Sequence, residues 1–160
     1  MRWNNVRIGS KLAIGFGVVL LLLAGIVLWA VVTNSRLLAN FQQMDQVDGL
    51  IGELLEKERD HLVWGNGVLT ALANGTAGEL KVQKDPHKCK LGEWYYGEGR
   101  EHAEQLVPSI AAALKALESP HIRLHQSAVT IEQLYGRDDT GGARTVFAQE
   151  TEPALMEVRA

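Results

Sequence analysis

The chain has 160 residues, 46% of them hydrophobic, with a formal net charge of -3, which is room for one domain plus an extra segment. Residues 1–35 hold Arg2, Arg7, Lys11 and no acid, which leaves 13 bases against 19 acids in residues 36–160. An acidic body gives no support to nucleic-acid binding, and the single cysteine, Cys89, excludes an internal disulfide.

Leu12–Val32 is an uncharged run of 21 residues. At about 1.5 Å per residue, a helix of that length spans roughly the 30 Å of a bilayer core. It exceeds the roughly 7–15 apolar residues of a signal-peptide core, and no convincing small-x-small cleavage site follows it. The run therefore reads as an uncleaved transmembrane helix, with Gly15, Gly17 and Gly25 tolerated and Trp29 near the far interface. Arg2, Arg7 and Lys11 lie on the near side and Arg36 alone lies close on the far side. The positive-inside tendency then predicts a cytoplasmic N-terminus (1–11), a membrane anchor (12–32) and an extracytoplasmic domain (33–160).

From Arg36 to about Ala73, apolar residues recur at helical spacing, from Leu37, Phe41 and Met44 to Leu69 and Leu72. With no proline to interrupt it, this stretch is expected to continue the membrane helix outward. His61 falls on the inward stripe, where a lone histidine is usually a satisfied core residue, and Trp64 is placed to shield it from water. Asn74-Gly75 is a stop signal, and residues 75 to about 88 read as a loop. Cys89-Lys-Leu-Gly-Glu-Trp-Tyr-Tyr96 predicts one or two helical turns. Lys88 and Lys90 are expected to favour the thiolate of Cys89, which otherwise is an inert packed side chain.

Gly97 and Gly99 predict a bend, and about 100–117 a helix. Ser119-Pro120 predicts an interruption and a new helix over about 120–135. His121 and His125 stand one turn apart on that helix, on one face. The pair either grips one ion or is a coincidence of a solvated surface. With His121 in a first turn, the helix dipole would disfavour imidazolium, and a metal requires the neutral ring. Residues 136–142 read as a turn, followed by a last amphipathic helix that Pro153 can kink. The pattern is still running at Ala160, so a longer parent protein is expected.

His61, Cys89, His121 and His125 can converge only in the core of a helical bundle. Three imidazoles and one thiolate make a closed set of borderline ligands that suits Zn²⁺. With four places filled, a catalytic zinc, which keeps an open position, is disfavoured. Glu58 or Glu93 as a general base would be arbitrary, so no enzyme activity is expected. His87, two residues before Cys89, is a candidate substitute ligand, and His102 has no partner at useful spacing.

The order and approximate spacing of His61-Leu-Val-Trp64, Cys89-Lys-Leu-Gly92-Glu-Trp94 and His121-Ile-Arg-Leu-His125 resemble the chemoreceptor zinc-binding family. The tail Ile131-Glu-Gln-Leu-Tyr135-Gly136, with Ala143 and Glu150-Thr-Glu-Pro-Ala-Leu155, continues the likeness, which covers roughly residues 50–158. The opening Arg7-Ile-Gly-Ser-Lys11-Leu-Ala-Ile-Gly-Phe-Gly17 looks like the start of a methyl-accepting chemotaxis protein. The resemblance implies an all-α fold: an antiparallel four-helix bundle, usually homodimeric, with a short extra helix carrying the cysteine. It implies one zinc per subunit, bound here by His61, Cys89, His121 and His125. It implies a sensor of zinc, or of oxidants such as hypochlorous acid, that acts on chemoreceptors or cyclic-dinucleotide synthases. Chemotaxis signalling proteins would then be engaged through a cytoplasmic part beyond this chain. Many members are soluble and cytoplasmic, whereas this domain follows a membrane anchor. The alternatives are a bundle that senses a small molecule and uses zinc only as a staple, and an anchored bundle without metal.

Overall fold

The computed structural model describes residues 7–159, and its described residues form helices without a strand. Arg2 and the rest of the first six residues, and the terminal Ala160, lie outside the described residues. The chain divides into two compact units, one ending at Asp45 and one beginning at Gln46.

Helix α1 spans Ile8–Asn74. Its apolar N-terminal stretch is long enough to cross a membrane by length and composition, and Leu20, Leu21, Leu22 and Leu23 are all exposed. No proline interrupts it, as its sequence predicts. The stop at Asn74 is also as read: Gly75 has φ +72°, a left-handed conformation that costs glycine nothing, and the Thr76 N–H donates to the Ala71 carbonyl at 2.9 Å.

In the unit from Gln46, the C-terminal part of α1 packs with the elements that follow. These are α2 (Lys90–Tyr95), α3 (Glu98–Leu106), a 3₁₀ turn (Pro108–Ile110), α4 (Ala111–Tyr135), α5 (Thr140–Val146), a π turn (Phe147–Thr151) and α6 (Glu152–Arg159). Two apolar clusters build the interior. One joins Trp64, Val68 and Leu72 of α1 to Leu124, Ala128 and Ile131 of α4. The other joins Leu50 to Leu91, Trp94, Tyr95, Ala103 and Leu114. His61 on α1 and His121 on α4 fall between these clusters, His125 lies among the α4 residues of the first, and all three are buried. The last helical stretch runs back along both partners: Thr151 meets Ser127, Glu157 meets Arg123, and Arg159 meets Glu58. Gly65 admits it closely, since a Cβ there would stand 2.9 Å from Leu155.

One proline reading needs correction. The expected break at Ser119-Pro120 is absent, and α4 runs through Pro120 without interruption. The break sits at Val107-Pro108 instead, where Val107 is extended (φ -133°, ψ 80°) and Pro108 opens the 3₁₀ turn, the conformation expected before a proline. Pro120 is buried inside the helix; tertiary packing there overrides a local cost of about 3 kcal/mol. Pro153 has no N–H to return to the preceding turn. The wide π turn immediately before α6 accommodates it. Helix α5 also begins earlier than predicted, because the Asp139 side chain caps it by accepting from the Gly142 N–H.

Candidate metal centre

Three elements bring four ligand atoms together. His61 comes from α1, His121 and His125 from successive turns of α4, and Cys89 from the residue that caps α2. The four atoms all lie within 4.8 Å of one another. Nε2 of His121 is 3.2 Å from Nε2 of His125 and 3.2 Å from Sγ of Cys89, and Nε2 of His61 is 3.8 Å from that sulfur. Around a tetrahedral zinc, the edges would be about 3.3 Å between nitrogens and about 3.6 Å between sulfur and nitrogen. These three contacts are close to those edges, while the four-atom set as a whole spreads to within 4.8 Å. The three rings meet edge to face, with centroids 4.8–5.6 Å apart.

Two of the rings are oriented from behind. Nδ1–H of His61 donates to the Lys57 carbonyl at 2.8 Å, and Nδ1–H of His125 donates to the Gln83 carbonyl at 2.9 Å. Donation through Nδ1 leaves the Nε2 lone pair to face the cluster, which is the tautomer a metal needs. Trp64, which its spacing placed to shield His61, instead packs edge-on against His125 at 5.3 Å, and its Nε1–H donates to the same Gln83 oxygen at 2.7 Å.

Burial holds all three imidazoles neutral. It lowers His61 below the ordinary value of 6.5, against the opposing pull of the Lys57 carbonyl and Asp60. It brings His121 down to about 3, helped by the neighbouring His125, His61 and His87. It brings His125 down to about 4, against the Gln83 hydrogen bond. His121 sits deep within α4, so the first-turn dipole argument for its neutrality does not apply; desolvation supplies the effect instead.

Cys89 also departs from the simple expectation. Burial pushes its thiol up, and Glu93 adds to the rise. Lys88 instead pairs with Asp85, and Lys90 with Glu56 and Asp60. The opposing stabilisation comes from backbone N–H groups at the start of α2, with the Gly92 N–H donating to Sγ at 3.2 Å. Gly92 has no room for a side chain, because a Cβ would run into the Pro86 carbonyl. The Cys-x-x-Gly spacing is thus a close approach of two backbone segments.

Of the remaining histidines, His87 stacks on Tyr96 at 4.2 Å and pairs with Asp85, outside the cluster, and His102 is exposed. Glu58 pairs with Arg159, and Glu93 is exposed. Sequence reading missed the Lys57 and Gln83 carbonyls, because a backbone acceptor leaves no mark in residue identity. It named Gly92 only as part of the resembling motif and gave it no role, although a glycine three residues after the thiol was a usable sign.

Residues 61–132 match the model of the chemoreceptor zinc-binding domain family. The matched segment opens on His61 and contains all four clustered residues. No curated protein and no solved structure matches the chain. A zinc-binding domain and a His, Cys, His, His cluster able to hold a metal ion coincide, and zinc is the cofactor.

Proposed function

With a chemoreceptor zinc-binding domain over residues 61–132 as the premise, we infer that this chain carries the sensory region of a bacterial transmembrane chemoreceptor. In this reading His61, Cys89, His121 and His125 are the ligands of one zinc ion. Zinc, when bound, would cross-link the elements that present them. The observation that carries the reading is the meeting of those four ligand atoms within 4.8 Å. The protein acts by binding and transmitting, not by catalysis, since a site with four protein ligands keeps no place for substrate.

The sensor is residues 33–160, arranged as an antiparallel four-helix bundle that pairs as a homodimer. The reversed run of α6 beside α1 and α4 supports that arrangement. The anchor is residues 12–32 in the inner membrane, with residues 1–11 cytoplasmic and the sensor periplasmic. The exposed apolar stretch of α1 and its basic N-terminal flank support this placement. Loss of zinc would release all four side chains, and conversion of the Cys89 thiolate to a sulfenic acid by an oxidant of the hypochlorous-acid class, with chloride leaving, would release one. His61 belongs to α1, so a shift of that helix passes the signal to chemotaxis proteins engaged through a cytoplasmic part.

Elemental analysis of the full chain purified in detergent tests the ligand set. About one zinc per chain is expected, and strong weakening in Cys89→Ser and His121→Ala. Disulfide crosslinking along residues 30–60 tests the coupling, and a pattern indifferent to zinc would count against it. A second reading, in which zinc is only structural and a small molecule is sensed, is favoured by one feature. A groove of roughly 600 Å³ lies among Ile51, Leu54, Leu114, Leu117 and Val158, within the range of small-molecule sites. Output that ignores a chelator but responds to an organic ligand would select it.

A further inference from the structure

The loop from Gly75 to Cys89 has a fastening that the metal ligands do not supply. Glu132 lies on α4 seven residues after His125, two turns along the same side of the helix. Lys84 Nζ stands 2.6 Å from both oxygens of its carboxylate, and the Leu80 N–H donates to Oε1 at 2.9 Å. Side-chain exposures of 32% and 25% for Lys84 and Glu132 remove the pair from much of the screening that weakens surface ion pairs. Between the two fastened positions is Gln83, whose carbonyl accepts from His125. Ala77 and Leu80 are independently buried in the apolar cluster. The loop thus has a hydrophobic anchor of its own, and the ion pair adds register to it.

We propose that Glu132 is a positioning residue of the metal centre. By holding Lys84 and the Leu80 N–H, it sets the Gln83 carbonyl, which fixes the ring of His125 with Nε2 turned inward. The proposal rests on the reading of His125 as a zinc ligand. An acceptor displaced by a few tenths of an ångström loosens the Nδ1–H bond and lets the ring turn about its own axis. The helix that presents two ligands thereby also carries the clamp that orients one of them.

The test is zinc affinity of the full chain in detergent, measured by competition with a chromophoric chelator. Glu132→Gln and Lys84→Met are each made in the native background and in His125→Ala. Each is expected to weaken zinc binding about tenfold in the native background, in keeping with the cost of losing an outer-shell partner. Neither is expected to weaken it further once His125 is gone, because the clamp acts through that ring. The cobalt-substituted protein is expected to show an altered ligand-field band in Glu132→Gln while helicity is unchanged. Unaltered affinity, or an equal loss in both backgrounds, would overturn the proposal. Should Glu132→Gln not fold, Lys84→Met decides it by the same comparison. A wild-type chain that holds no zinc defeats this proposal together with the reading beneath it. A wild-type chain that holds zinc beside insensitive variants defeats the proposal alone.

Discussion

Trp64 and His125 share one acceptor: the Gln83 carbonyl takes the indole N–H at 2.7 Å and the imidazole Nδ1–H at 2.9 Å. A ring of α1 and a ring of α4 are thereby referenced to the same point of a connecting loop. The indole also covers His125 edge-on, so one side chain both dries the imidazole and competes for its partner.

Trp64→Phe keeps an aromatic ring in place and deletes the shared donor. Loss of one buried hydrogen bond should cost about 1 kcal/mol, with a further contribution from the smaller ring. A lower thermal midpoint is expected, with zinc stoichiometry retained. Equal midpoints for the two proteins would show that the indole N–H has no part in the site.

Zinc binding at pH 7 should release about one proton. The imidazoles are already neutral, with His121 at about 3 and His125 at about 4, whereas the thiol is held above its ordinary value by burial. A metal-bound cysteine is the thiolate. Calorimetric enthalpies in buffers of different ionisation heat read the proton count directly, and Cys89→Ser should bring it close to zero.

The zinc-free protein should lose stability as pH falls. In the unfolded chain His121 and His125 take up a proton near pH 6.5, while in the folded chain they resist until about 3 and about 4. The unfolded state therefore binds more protons across that interval, and unfolding becomes easier toward its acid end. Thermal melts in excess chelator from pH 7.5 to 4 should show a falling midpoint, with a shallower fall in His125→Gln.

Gly92→Ala should damage the site without touching a ligand. The added methyl would run into the Pro86 carbonyl, so the loop that presents Cys89 must shift. Zinc affinity is expected to fall by about 10–100-fold, the range seen for lost supporting contacts. Circular dichroism should show the helices intact; wild-type affinity would mean that the loop relaxes freely.

The four clustered residues were legible because each is a rare side chain at helical or loop spacing that leaves few other roles. The stop at Asn74-Gly75 was legible because Gly75 takes a conformation few residues share. Pro120 misled because its lost hydrogen bond is a local cost, while the packing that tolerates it comes from elsewhere in the chain. The same limit applies to Lys90, whose partners Glu56 and Asp60 lie some thirty positions earlier. Nothing local could reveal that its charge would be directed away from the thiol. Gln83 acts through its backbone, and no choice of side chain advertises that.

The ion pair between Glu58 and Arg159 joins residues 101 positions apart. During synthesis α1 leaves the ribosome long before α6 exists to lie against it. Its inward stripe, His61 included, must wait for that whole interval without its lasting neighbours. A nascent chain of this kind is most exposed to aggregation, and to premature capture of metal by an incomplete set of side chains, just before α6 emerges.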